Sequence, residues 1–470
     1  MAQNRTLLIV GLATLVVLAV FSILVATIGP TIEDFHAGAS SQTWALGGMS
    51  LGMASALLTI GAVADRAGRR RVFALSSALL AVTTVLGAVA PGIEIFVAAR
   101  VLEGVAGAGV LAAGLGLVGH AFPSPIERTR ATGVWGAMLG AGIALGPLAA
   151  ALLARAFDWR ASYWAFGLAA GVLALSALTL DESKPAGEAR RFDPAGALSI
   201  AVAMTALTAG LTSGRSSWTS AATVTLLVAG VAALGVFVAI EARRDHPLLD
   251  LELFRGPLFV ASLSGAAITG LATVGLMSHL TIVLTSGLSR SLLAAAGVLA
   301  VWSVTSVVVA FQSRRLPAHV DASDRLVAGL VASGVGTAML ADLAASSSWV
   351  RLVPGLVIAG VGSGLANAAL GRLAVESVPP ADAALGSGAN NTARYLGSAL
   401  GIALVAVLIT GGGSGAGGLV DGWDHAALVG AGLNLAGAAW IALASRRGGS
   451  IQAGVARAGR SASGGSGGAF

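Results

Sequence analysis

In the stretch AARVLEGVAGAGV, Ala98 to Val110, Arg100 and Glu103 stand three residues apart in an otherwise apolar run. Positions i and i+3 share a helix face, so the guanidinium can reach the carboxylate. Counting inward from Glu94 at 1.5 Å per residue places Arg100 at roughly 9 Å and Glu103 at roughly 13 Å along the run. Across a hydrocarbon core of about 30 Å, Glu103 then sits near the midplane. An ionisable group at that depth is costly and marks a functional position by default. Two chemistries are open. The residues form a static ion pair that orients the helix, or Glu103 takes up and releases a proton as a conformational change breaks and remakes the pair.

The other polar groups inside apolar runs are Asn367, Asn390, Asn391, Arg394 and His279. Arg394 has no acid within reach on its own helix, which leaves backbone carbonyls, a substrate anion or a carboxylate on another helix as its partner. His279 lies toward one end of its run, which suits a hydrogen-bonded or wetted residue better than a proton relay. Trp302 and Trp135 either line a site for flat apolar molecules or pack within the bundle. The chain has no cysteine, which excludes disulfides, thiolate metal sites and cysteine nucleophiles. No metal or cofactor is expected, and a proton gradient is the natural energy source. His36 and His425 come with scattered acids and no large loop, so a membrane enzyme is not expected. Nothing resembles a signalling domain either.

The elements that carry these residues are helices in a bilayer. Only 11% of the 470 residues are charged and the mean hydropathy is +0.86, against about 25% charged in soluble domains. Fourteen apolar runs of spanning length are read, at about 6–28, 42–64, 72–90, 94–118, 131–154, 161–180, 195–214, 220–241, 258–284, 291–312, 326–344, 350–374, 384–410 and 426–445. The first is longer than the apolar core of a signal peptide and reads as a retained helix. With a cytoplasmic N-terminus, twenty-one of the 28 basic residues fall on the inner side and five on the outer, with Arg100 and Arg394 inside helices. Such a bias is the positive-inside pattern, which a miscounted helix would scramble. It also explains the net charge of +6 without nucleic acid. Trp44, Trp159, Trp164, Trp218, Trp349 and Trp423 fall near the expected outer interface.

Gly133, Gly142 and Gly146 in the fifth run are spaced like Gly388, Gly397 and Gly401 in the thirteenth. Both sets follow a short Pro-containing loop, FPSPIER and VPPADAA. The matched positions predict two repeated halves, a common transporter plan. The expected organisation is a six-helix bundle over residues 1–180, two extra helices with linkers over 181–257, a second six-helix bundle over 258–447, and an irregular basic Gly/Ser-rich tail over 448–470. GGGSGAGG, 411–418, reads as a flexible outer loop.

The loop GAVADRAGRRRV, with Gly61, Asp65, Arg66, Gly68, Arg69 and Arg70, resembles the cytoplasmic signature G-x-x-x-D-R-x-G-R-[RK]-[RK] of the major facilitator superfamily. GIALGP, with Gly142, Gly146 and Pro147, resembles the G-x-x-x-G-P antiporter motif of that superfamily, with Ala150 and Ala151 where further glycines are usual. DWRASYWAF (158–166), HPLLDLELFRGPLF (246–259) and NNTARYLGSALG (390–401) are similar to stretches of its 14-helix drug:proton antiporters. The second-half copy of the cytoplasmic loop, RRLPAHVDASDRL, is degenerate. The resemblance implies an all-α integral membrane protein of the major facilitator fold, with two six-helix bundles and two extra central helices. It implies a monomer in the bacterial cytoplasmic membrane with both termini inside. It implies export of hydrophobic drugs or a secondary metabolite by proton antiport with alternating access. An uncoupled facilitator or uptake carrier for a specific metabolite is the alternative. Arg100 fits the family's R-x-x-Q-G pattern, with Glu103 in place of Gln and Gly104 following. In the family the first helix often carries an acid thought to couple protons, and Phe21 stands where it would align. That departure makes Glu103 the leading candidate for proton coupling, with Arg100 as its partner.

Overall fold

The computed structural model describes residues 2–183, 193–214, 217–244, 251–313, 320–344, 348–378, 383–413 and 415–463. Lys184, Arg190, Arg191, Arg215, Arg314 and Arg315 of the charge pattern lie outside them. Among the described residues there are fourteen helices and no strand: α1 (Ala2–Asp34), α2 (Ala39–Ala67), α3 (Arg69–Ala88), α4 (Ile93–Ala121), α5 (Pro125–Ala156), α6 (Arg160–Ala177), α7 (Pro194–Gly214), α8 (Ala221–Glu241), α9 (Pro257–Gly287), α10 (Leu292–Gln312), α11 (Ala322–Ala338), α12 (Leu352–Glu376), α13 (Ala383–Gly411) and α14 (Gly415–Ser463). Twelve are long and apolar enough to cross a membrane. The other two, α6 and α11, are the shortest at 18 and 17 residues. Helix starts follow local chemistry. Pro125, Pro194 and Pro257 open α5, α7 and α9, where a missing N–H costs nothing. Ser220 and Ser291 cap α8 and α10 by accepting from Thr223 and Ala294.

The last helix departs from expectation at both ends. Gly415–Gly418 already belong to α14, so the connection from α13 is only a few residues long. Residues 448–463, expected to be irregular, continue the same helix, and 464–470 lie outside the described residues. Alanine, arginine and glutamine favour helix, and extending an existing helix needs no new nucleus.

The two ends of the chain repeat one packing scheme. In the first half α1 lies on α5, α2 on α4, and α3 on α4 and α6; in the second α9 lies on α13, α10 on α12, and α11 on α12 and α14. The helices α2 and α13 meet across the halves, as do α5 and α10, the symmetry-related pair. The extra helices α7 and α8 pair with each other, and α7 lies along both α2 and α13. Ile200, Ala203, Met204 and Phe237 of this pair bury against Leu58, Phe259 and Ala389.

Of the glycine repeat, two positions per half do equivalent work. A side chain at Gly142 would strike the Leu15 carbonyl of α1, and one at Gly146 would strike Ser22 and Ala19. Likewise Gly397 and Gly401 abut the carbonyls of Ala267 and Leu271 on α9. Without a hydrophobic drive between helices in lipid, such close backbone approach supplies the packing. Gly133 faces open space, so it does not share this role. Opposite α13, α9 passes into a π-helical segment at Thr269–Val274, where Gly270 meets the Arg394 carbonyl.

Candidate functional site

A central cavity lies on the seam between the halves. From the first half, Phe21 and Ser22 of α1 and Ile143 and Pro147 of α5 form its wall. From the second half, Thr273 and Met277 of α9, Trp302 of α10, Asn367 of α12, and Arg394, Tyr395 and Ser398 of α13 complete it. A smaller extension runs between α5 and α10 past Gly136 and Ala310. The wall is less polar than its residue names suggest. Ser22, Thr269, Ser278 and Ser303 each turn their hydroxyl onto a carbonyl one turn back in their own helix. Trp302 donates its indole N–H to Ser363 Oγ at 3.0 Å, which satisfies two more wall groups.

Three of the polar residues read from sequence therefore meet in this cavity: Trp302, Asn367 and Arg394. Arg394 makes one long contact, from Nη2 to Asn390 Oδ1 at 3.5 Å, and its buried Nε has no partner. The others do not line it. Asn390 donates to the carbonyl and hydroxyl of Ser262 at 3.0 and 2.9 Å, locking α13 to α9. Asn391 bonds back to the Ser387 carbonyl. His279 is 2% exposed, with Nδ1 3.1 Å from the Gly275 carbonyl. Trp135 packs against the first-half core with its indole nitrogen buried and unbonded.

Arg100 and Glu103 form a closed ion pair, Nη1 to Oε2 at 2.5 Å, with side chains 1% and 0% exposed. They face the interior of the first half rather than the cavity. Arg100 also donates to the carbonyls of Val20 at 3.0 Å and Phe21 at 3.2 Å on α1. The helix-one position that lacks an acid is thus gripped from α4 through its backbone, while its ring faces the cavity edge-on to Tyr395 at 5.9 Å between centroids. Gly104 explains the glycine that follows: a side chain there would strike the Met49 carbonyl of α2. Beside the pair, Glu103 Oε1, the Thr84 hydroxyl of α3 and the Tyr163 hydroxyl of α6 are buried without hydrogen-bond partners. The Thr84 hydroxyl faces the Glu103 carboxyl, and a side chain at Gly87 would lie 3.3 Å from the Tyr163 ring and 3.6 Å from Glu103 Oε1. Buried oxygens left unpaired are costly. Each hydroxyl carries an O–H that can turn toward Glu103 Oε1, so the carboxylate has donors at hand on α3 and α6 while Arg100 holds its other oxygen.

The loop between α2 and α3 is held by an acid that no sequence motif singles out. Gly68 turns the chain at φ +110°, where a side chain would be strained and would meet the Glu182 carboxyl. Glu182, just after α6, accepts from the Arg70 amide at 3.0 Å and lies near the Arg70 and Arg71 guanidinia. Arg69 donates to Asp65 at 2.8 Å and to the Gly116 carbonyl of α4 at 3.1 Å. Arg66 is exposed, and Gly61 contacts Ala112 at ordinary distance. A loop residue's charge names no partner, so Glu182 becomes visible only once α6 is seen beside α3.

Comparison with known proteins agrees with this architecture. Residues 10–402 match the Major Facilitator Superfamily. The chain is 31% identical over 281 residues to multidrug resistance protein Stp of Mycobacterium tuberculosis, covering 58% of this chain and 52%, about half, of that one. It is 27% identical over 379 residues to multidrug efflux pump LfrA of Mycolicibacterium smegmatis, covering 80% and 75%. It is 29% identical over 439 residues to puromycin resistance protein pur8 of Streptomyces alboniger, covering 89% and 87%. Among solved structures, the human organic anion transporter MFSD10 superposes with a TM-score of 0.68 at 16% identity, covering 94% of this chain and all of that one. A bacterial homologue of the human lysosomal transporter Spinster gives 0.66 at 17%, covering 95% and 97%. At such identities the structural likeness speaks for the fold alone. Family match, fourteen helices and repeated halves together place this multi-pass membrane protein in the Major Facilitator Superfamily.

Proposed function

We propose that the chain exports hydrophobic small molecules, drugs or a secondary metabolite, by alternating access. The observation that carries this is the apolar cavity at the seam of two similarly built halves. A substrate there touches both halves, so rocking them exposes it to one side and then the other. The resistance and efflux names of the relatives support drug export. The charge bias supports a bacterial cytoplasmic membrane location with both termini inside.

Proton antiport completes the proposal, with Glu103 as the proton carrier and Arg100 as the partner that holds it. Arg100 grips the α1 backbone at Phe21, whose ring lines the cavity. A bound molecule that shifts Phe21 therefore pulls on the ion pair, and protonation of Glu103 frees Arg100 to follow α1. The second reading, an uncoupled facilitator, draws on the missing acid in α1.

Expression in an efflux-deficient bacterial host separates them. The expected outcome is lower accumulation of several hydrophobic compounds, restored to control levels by an uncoupler. Faster equilibration with no change in the steady-state level, with or without uncoupler, supports the facilitator, and an unchanged profile for every compound contradicts drug export.

A further inference from the structure

Arg394 is a permanent charge in a wall that holds no aspartate or glutamate. Among the described residues no carboxylate pairs with it, and its one contact, to Asn390, is long. Ser398, one turn further along α13, lines the same cavity and has a buried hydroxyl without a hydrogen-bond partner. Residues i and i+4 share a helix face, so two donors stand side by side. Ser22, Thr269, Ser278, Ser303 and Ser363 are already engaged within the protein, while Thr273 and Tyr395 add two more hydroxyls to the wall. A buried cation without a counter-charge is costly, and a charge-assisted bond from guanidinium to an anionic oxygen offsets that cost. A cation placed here meets repulsion with nothing to screen it.

We infer that the cavity selects amphiphilic organic anions, whose acidic oxygens bind Arg394 and Ser398 while the apolar body lies among Phe21, Ile143, Met277 and Trp302, and that it rejects lipophilic cations. The inference rests on the cavity being the transport site and names the class of molecule carried. The planar guanidinium suits a carboxylate or sulfonate, which accepts two parallel N–H bonds. Asn367 on α12 offers a further polar contact in the same cavity.

The test uses the full chain in phosphatidylcholine nanodiscs and two probes with one fluorophore and opposite charge, dansylglycine and dansylcholine. Equilibrium dialysis, corrected with empty nanodiscs, gives both affinities. The wild type binds the anion about tenfold or more tightly than the cation, since opposed and like charges differ in sign at one buried site. Arg394→Gln removes the preference by weakening the anion, and Arg394→Lys, which keeps the charge, retains it in part. Equal or tighter binding of the cation by the wild type overturns the inference, as does an anion that never binds saturably. So does an unchanged ratio in Arg394→Gln. A misfolded variant loses both probes together, and the decision then falls on the wild-type ratio and Arg394→Lys. Binding is read without a gradient, so failure of proton-driven export leaves this result standing, while efflux of cationic dyes alone overturns this inference and not the export proposal.

Discussion

Arg100 and Glu103 are demanding residues, because each is buried and each is the other's charge partner. Taking one partner away strands the other charge, which costs roughly 3–5 kcal/mol for a buried pair. Arg100→Ala is therefore expected to lower the melting temperature in detergent far more than the apolar double replacement Arg100→Leu/Glu103→Leu. A double variant as unstable as the sum of the singles would show that the charges act independently. At this scale the sequence was informative wherever a polar residue interrupts an apolar run: Arg100, Glu103, Trp302, Asn367 and Arg394 stood out by type alone. It could not say that Arg100 reaches α1 backbone carbonyls, because a carbonyl acceptor has no letter. Nor could it mark Tyr395 or Ser398, since aromatic and hydroxyl residues are ordinary throughout such helices, and Phe21 stood out only for the acid it replaces.

Between helices, the glycines set how closely neighbouring backbones approach. At Gly146 an added methyl meets Ala19 and Ser22 of α1, and overpacking of this kind costs about 1–3 kcal/mol. Gly146→Ala is expected to lower the melting temperature and slow efflux, whereas Gly133→Ala, facing open space, leaves both unchanged. Equal effects would contradict the packing role assigned to the repeat. The helices were legible because a bilayer sets the length of every apolar run. Their ends were less so. Gly415–Gly418 read as a loop because glycine breaks helices in water, yet glycine is common in membrane helices, where neighbours re-satisfy the backbone. The two π-helical stretches of α9, Thr269–Val274 and Val283–Gly287, left no mark on the periodicity either.

For the whole molecule, the two halves meet through α2 with α13 and α5 with α10, and alternating access requires those seams to open. A side chain at Gly388 would lie 3.3 Å from Leu58, and the native chain has no cysteine. Joining Leu58→Cys to Gly388→Cys with a short cross-linker is expected to stop transport, and reductive cleavage of a disulfide-containing linker to restore it. The same reagent across Val85→Cys and Gly167→Cys, which joins α3 to α6 inside one half, leaves transport running. Activity persisting across the first link would mean that the halves do not separate there. The glycine spacing announced the repeated halves, but the seam contacts come from helices more than a hundred residues apart and needed the fold. The central claim is that this movement is geared to a proton through Glu103. Purified chain in liposomes, given a substrate gradient of zero and a proton gradient alone, provides the direct reading. The account predicts that the wild type drives substrate against its concentration and that Glu103→Gln binds substrate normally but fails to accumulate it. Full proton-driven accumulation by Glu103→Gln would contradict it.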